Sequence, residues 1–153
     1  MERLGIDLTG PWPKANNKVY ILTCIDHFTK WADAIPIPNK EAATVAKALV
    51  TKIFTSVGTA LQILSDRGKE IDNSLMISLC QLMGTDKIRT TSYKASTNAC
   101  VERLHRSMND MIAKCVNDNQ KNWTEVLPHV MCAYRSAVHE STGYSPNMLF
   151  YGR

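Results

Sequence analysis

The 153-residue chain has no apolar run approaching the roughly 20 residues that a membrane helix requires. Its start has no basic region followed by an apolar one, so neither membrane insertion nor secretion is expected. No two cysteines are spaced CxxC, and His27, His105, His129 and His139 form no HxxxH pair, which excludes the common structural zinc sites. Cys24, Cys80, Cys100, Cys115 and Cys132 are odd in number and mostly set in apolar runs. They read as reduced core thiols, and hence as an intracellular protein, rather than as a disulfide framework. There is no internal repeat, low-complexity segment or domain linker.

What remains is the composition of one ordinary folded domain, 44% hydrophobic and 21% charged, far from that of a disordered chain. At this length, folding removes about 70% of the unfolded chain's accessible surface, enough for a real core. The formal charge of +4 permits a polyanionic partner without requiring one.

Three apolar segments open the chain: 3–8, 19–25 and 31–38. They read as strands, separated by the breakers Gly10, Pro11 and Pro13 and by an Asn16-Asn17 turn. The middle segment is a continuous β-branched and aromatic run, as in a strand covered on both faces, and is expected to be central. Pro36 is acceptable only if the third strand lies near an edge. From Lys40 to Phe54, Ala42, Val45, Ala46, Leu49 and Ile53 recur at helical spacing, and Gly58 closes that region. Residues 60–64 form a fourth strand running into Ser65-Asp66-Arg67-Gly68. A helix over 73–83, with Leu75, Leu79, Leu82 and Met83 as its apolar set, precedes a strand over 87–90.

Residues 91–97 read as a loop. Beyond it Val101, Leu104, Met108, Met111 and Cys115 step by three and four residues along a helix that Asn98 is placed to cap. A last helix, from about 123 to 138, aligns Trp123, Leu127, Val130, Tyr134 and Val138, with Ser145-Pro146 marking a loop beyond it. Alternation after an antiparallel start predicts a five-stranded mixed sheet with helices on both faces, an α/β sandwich.

Asp7 and Asp66 fall at strand ends, and Glu102 lies about 100° around its helix from the apolar stripe. Taken singly, each has an ordinary explanation: aspartates satisfy turns, and a glutamate in the first turns of a helix suits the macrodipole. Brought together, three carboxylates repel, and hard divalent cations with oxygen ligands relieve that repulsion.

Flanking residues give these three a context. Gly5-Ile6-Asp7-Leu8-Thr9-Gly10-Pro11, Ile25-Asp26-His27-Phe28-Thr29-Lys30, Leu64-Ser65-Asp66-Arg67-Gly68-Lys69-Glu70, Thr97-Asn98-Ala99-Cys100-Val101-Glu102-Arg103, Asn122-Trp123 and Ser141-Thr142-Gly143-Tyr144-Ser145-Pro146 occur in that order, with 35 residues between Asp66 and Glu102. Over nearly its whole length the chain resembles the integrase catalytic core of retroviruses and gypsy-type LTR retrotransposons. The resemblance implies an RNase H-like fold and two magnesium (or manganese) ions, with Asp7 on both and Asp66 and Glu102 each completing one. It further implies 3′-end trimming of donor DNA followed by strand transfer into target DNA.

On the same grounds, residues 1–153 are expected to be a core without the family's zinc-binding N-terminal and DNA-binding C-terminal domains, acting in the nucleus as a homodimer or higher homo-oligomer. Helices near 41–54 and 123–138 are the candidate pairing surfaces. Lys94-Ala95-Ser96 and Ala99 depart from the family's loop, and Ile71 replaces its usual phenylalanine. Arg67, Lys69, Lys94, Arg103 and Arg106 are candidate contacts to double-stranded DNA, where cations give affinity with little sequence choice; a solvated helix face is the plain alternative for Arg103 and Arg106. Asp26 and His27 read as structural. The rival functions are an RNase H-like nuclease and a host-recruited remnant that binds DNA or protein without catalysis.

Overall fold

A computed structural model describes residues 1–66, 68–89, 95–118 and 120–153, excluding the side chains of residues 95–98. Its five strands are β1 (Arg3–Thr9), β2 (Tyr20–Asp26), β3 (Ala32–Ile37), β4 (Gln62–Ser65) and β5 (Asp86–Arg89), in the order β3-β2-β1-β4-β5. The first three form an antiparallel meander, and β4 and β5 add in parallel beyond β1. The sheet is therefore mixed and five-stranded, as its sequence pattern predicts. The centre is β1, however, not the more apolar β2.

Strand β2 is mostly apolar, Thr23 and Asp26 apart, because it is an interior strand with both faces covered. Leu22 and Cys24 join one core cluster, and Ile21 and Ile25 join the other. Pro36 sits in β3, at the edge of the sheet, as its missing N–H requires. Asn16 and Asn17 both take positive φ, 48° and 59°, in the tight turn expected of them.

One face of the sheet is covered by α1 (Ala42–Ala48), a π-helical stretch (Leu49–Phe54), the short α2 (Thr55–Val57) and α3 (Ser74–Leu82). The other is covered by α4 (Ala95–Cys115) and α5 (Trp123–Ser136). The wide π turn follows straight on from α1 and buries Leu49, Ile53 and Phe54.

Several sequence expectations need correction. In α3 the buried residues are Met76 and Cys80, and the expected Leu79 and Met83 pack partly buried against the same core, whereas Leu75 and Leu82 are 44% and 84% exposed. The helix is apolar on more than one side, so periodicity selected only part of the face that docks. In α4 Val101, Leu104, Met108 and Ile112 are buried while Cys115 is exposed, because a straight helix of 3.6 residues per turn drifts off a strict three-four repeat. The helix already includes Ala95, within the segment read as loop, so the backbone of Asn98 lies inside it and cannot cap it.

Helix α5 stops at Ser136, leaving Val138 71% exposed. Beyond it the supposed loop is a sixth helix, α6 (Pro146–Tyr151), with Ser145 Oγ accepting from Met148 N at 3.2 Å and proline in its first turn. All five cysteines are free, but only Cys24, Cys80 and Cys100 are core residues; Cys115 and Cys132 are exposed. Asp26 is structural as expected: Oδ2 accepts from Thr29 N (3.0 Å) and Thr29 Oγ1 (2.6 Å), closing the β2–β3 turn. Ile71 is buried in the core.

Candidate functional site: an acidic recess between β1 and the turn after β4

Strand alternation aims β1's side chains. Leu4 and Ile6 point into the α1–α3 core, so Gly5 and Asp7 face α4. Gly5 carries no side chain because the His27 ring and α4 both lie there: an added Cβ would sit 2.7 Å from His27 Nε2 and 3.1 Å from Val101 Cγ2. Close approach at Gly5 thus brings Val101, and with it the neighbouring Glu102, down beside the strand that carries Asp7. Asp7 is not at the strand's end, as its sequence position suggested, but within it, opposite Thr23 on β2.

Asp66 follows the last residue of β4. The parallel register pairs Arg3, Leu4 and Gly5 with Gln62, Ile63 and Leu64, and its continuation sets Asp66 level with Asp7. Adjacent strands lie about 4.8 Å apart. Asp66 Oδ1 accepts from Gly68 N at 2.9 Å, an Asx-type turn that bends the chain just past the strand. A Cβ at Gly68 would lie 3.0 Å from both Asp66 Oδ1 and Glu70 Oε2, so a side chain there would push those two carboxylates aside by a few tenths of an ångström. Asp7, Leu8, Asp66, Gly68, Glu70 and Ile71 line a recess of about 90 Å³.

The charges at this recess interact. Burial pushes the Asp7 carboxyl up from 3.8 to about 6; the Leu8 N–H on Oδ1 (2.8 Å) opposes the rise, and the charges of Asp66, Glu102 and Glu70 add to it. All three sequence-selected carboxylates therefore belong to one electrostatic neighbourhood. Among the described residues no three His, Cys, Asp or Glu side chains stand close enough to grip one metal ion. The donor chemistry nevertheless suits a hard cation: carboxylate oxygens, one of them on an acid whose ionised form is disfavoured first by burial and then by its acidic neighbours.

Other groups at the site were not singled out by sequence reasoning. Glu70's own backbone N–H, and after it Lys40, whose Nζ donates to Glu70 Oε1 at 3.0 Å, hold its carboxyl below the usual range. Lys87 donates to Ser65 Oγ at 2.5 Å, and burial pulls its pKa down. Thr23 and His105 adjoin Asp7: Thr23 Oγ1 donates to Asp7 O (3.1 Å) and lies 2.7 Å from His105 Nε2, while His105 Nδ1 is 3.8 Å from Asp7 Oδ2. Burial lowers the His105 pKa, so the last contact is not an ion pair at neutral pH. No periodicity marks these residues, because each becomes relevant only through a neighbour remote in sequence.

Of the candidate DNA contacts, Lys69, Arg103 and Arg106 are exposed, and Arg67 and Lys94 lie outside the described residues. Arg106 is one helical turn beyond Glu102. Arg103 influences Tyr134 and His139, which places it on the α5 side of α4.

This five-stranded sheet with its two helical layers is the RNase H-like fold of integrase catalytic cores. The bovine immunodeficiency virus integrase core matches it with a TM-score of 0.75 at 20% identity, over 99% of this chain and 94% of that one. The HTLV-2 integrase core, solved in complex with magnesium in a trimeric form, matches with a TM-score of 0.77 at 14% identity, over 97% and 95%. The chain belongs to the integrase core domain family, which it matches over residues 1–95, a span that includes Asp7 and Asp66 but ends before Glu102. It is 32% identical, over 99% of its length, to the retrovirus-related Pol polyprotein from transposon 412 of Drosophila melanogaster. It is 28% identical, over 97%, to Gypsy retrotransposon integrase-like protein 1 of Bos taurus. The chain spans 12% and 30% of the length of those two relatives.

Proposed function

We propose that this chain is the core of a metal-dependent polynucleotidyl transferase that trims retroelement DNA ends and joins them to target DNA, with Asp7, Asp66 and Glu102 as the metal-holding carboxylates. The observation that carries the reading is the half-buried Asp7, whose carboxyl is raised to about 6 by burial and by the charges of Asp66, Glu102 and Glu70. Such a cluster is costly when ionised and empty, and binding of two magnesium or manganese ions relieves it. When bound, the ions supply Lewis-acid activation of the attacking oxygen and charge stabilisation at the phosphate.

The chain's own residues prepare that chemistry. The Leu8 N–H fixes Asp7 Oδ1, and the Gly68 N–H fixes Asp66 Oδ1, so two of the three acids arrive oriented. Lys40 holds Glu70 at the rim. Lys69 and Arg106, with Arg67, Lys94 and Arg103, contact the phosphate backbone of double-stranded DNA and orient it with little sequence preference. A homodimer or higher homo-oligomer acting in the nucleus is part of this reading; likeness to integrase cores solved in oligomeric form supports the assembly.

The test is strand transfer on double-stranded oligonucleotide ends with magnesium or manganese. Asp66→Asn keeps an oxygen for the Gly68 turn and removes the charge, and is expected to abolish joining. Undiminished joining by that variant defeats the proposal, and cleavage of an RNA–DNA hybrid without joining redirects it to a nuclease.

A further inference from the structure

We propose that His105 is a positioning residue for Asp7, acting through the Thr23 hydroxyl to hold helix α4 and strand β1 in register; the inference deepens the functional reading above and rests on it. Thr23 is fully buried, and its hydroxyl has one proton to give. That proton goes to Asp7 O at 3.1 Å. With the hydroxyl proton assigned to Asp7 O, the imidazole is the donor in the 2.7 Å contact with Thr23 Oγ1, which assigns the His105 proton to Nε2. Nδ1 is left with a bare lone pair, 3.8 Å from Asp7 Oδ2.

Two consequences follow. The link His105–Thr23–Asp7 ties α4, three residues after Glu102, to the backbone of the residue whose carboxylate must meet Glu102. Because Nδ1 cannot donate to Oδ2, His105 also leaves that carboxylate oxygen free for a cation. A lysine or arginine in its place would occupy the oxygen instead. Gly5 brings α4 near β1, and His105 fixes where along β1 it settles.

The experiment is calorimetric titration of Mn²⁺ alone into the 153-residue chain, paired with strand-transfer kinetics. His105→Ala and Thr23→Val are each expected to weaken Mn²⁺ binding about 10-fold or more, the usual effect of losing a partner that orients a metal ligand. The double variant should be no worse than either single one, since both remove the same link. His105→Gln, whose amide nitrogen reaches about as far as Nε2, should recover most of the affinity, and the shorter His105→Asn should not. In kinetics, kcat should fall while KM for DNA holds.

Equal Mn²⁺ affinity in His105→Ala, additive losses in the double variant, or rescue by asparagine as good as by glutamine would each overturn the proposal. Should the alanine variant fail to fold, the glutamine–asparagine comparison decides. A wild-type chain that binds no Mn²⁺ refutes the functional reading itself. A wild type that binds, with His105→Ala binding equally well, refutes only the positioning role.

Discussion

Replacing Asp7 by asparagine should make the metal-free protein more stable while removing its response to magnesium. The Asp7 carboxyl rises from 3.8 to about 6 on folding. A shift of about 2 units at 1.36 kcal/mol each corresponds to roughly 3 kcal/mol of penalty on the ionised form. The side chain is 36% exposed, so solvent screening reduces this to about 1–2 kcal/mol. The folded protein binds this proton more tightly than the unfolded chain does. The penalty is therefore absent below the unfolded pKa, grows as pH rises from about 4 to about 6, and is complete above that.

Asparagine keeps an oxygen for the Leu8 N–H and can present its amide toward the lone pair of His105 Nδ1. In thermal melts without metal near about pH 7.5, Asp7→Asn should exceed wild type by about 2–4 °C per kcal/mol, and by less near about pH 4.5. Magnesium should reverse the order, because a ligand at 100 times its Kd adds about 2.7 kcal/mol to the state that binds it. An asparagine variant no more stable than wild type without metal, or one stabilised equally by magnesium, would refute the reasoning. Burial makes the largest contribution to the wild-type value and the charges of Asp66, Glu102 and Glu70 add to it, so their neutral variants should shift the midpoint in the same direction by less.

Gly5→Ala forces a methyl to 2.7 Å from His27 Nε2, and should lower stability by about 1–3 kcal/mol in chemical denaturation through displacement of α4. A variant as stable as wild type would mean that α4 does not rest on β1 at that point. Asn73→Ala removes the side-chain acceptor for Met76 N (3.0 Å) at the start of α3 and should cost about 1 kcal/mol by the same assay, with metal binding unchanged.

The site was legible from the sequence to an unequal degree. Asp7 and Asp66 stood out because each was read at the end of a short apolar strand, and Glu102 because of its position relative to a helical stripe and the residues around it. Glu70, Thr23 and His105 carried no such signal. His105 has meaning only because the register of β1 on β2 places Thr23 opposite Asp7 and because Gly5 admits α4 to that face.

The amino-acid order alone determined the five strands and the longer helices in their sequence along the chain, though not α6 or the start of α4, since strand and helix periods are local properties of side-chain direction. It also determined the mixed sheet, which follows from three strands in close succession before any helix. Tertiary structure decided the rest. Strand order made β1 the centre although β2 is the more apolar, because apolarity reports cover on both faces and not rank in the sheet. Docking chose Met76 and Cys80 over Leu75 and Leu82, both leucines being left exposed where the helix turns to solvent. Pairing of β1 with β4, which runs to Gly5 and Leu64, then directed Asp66 toward Asp7, a proximity between remote residues that only long-range register can create.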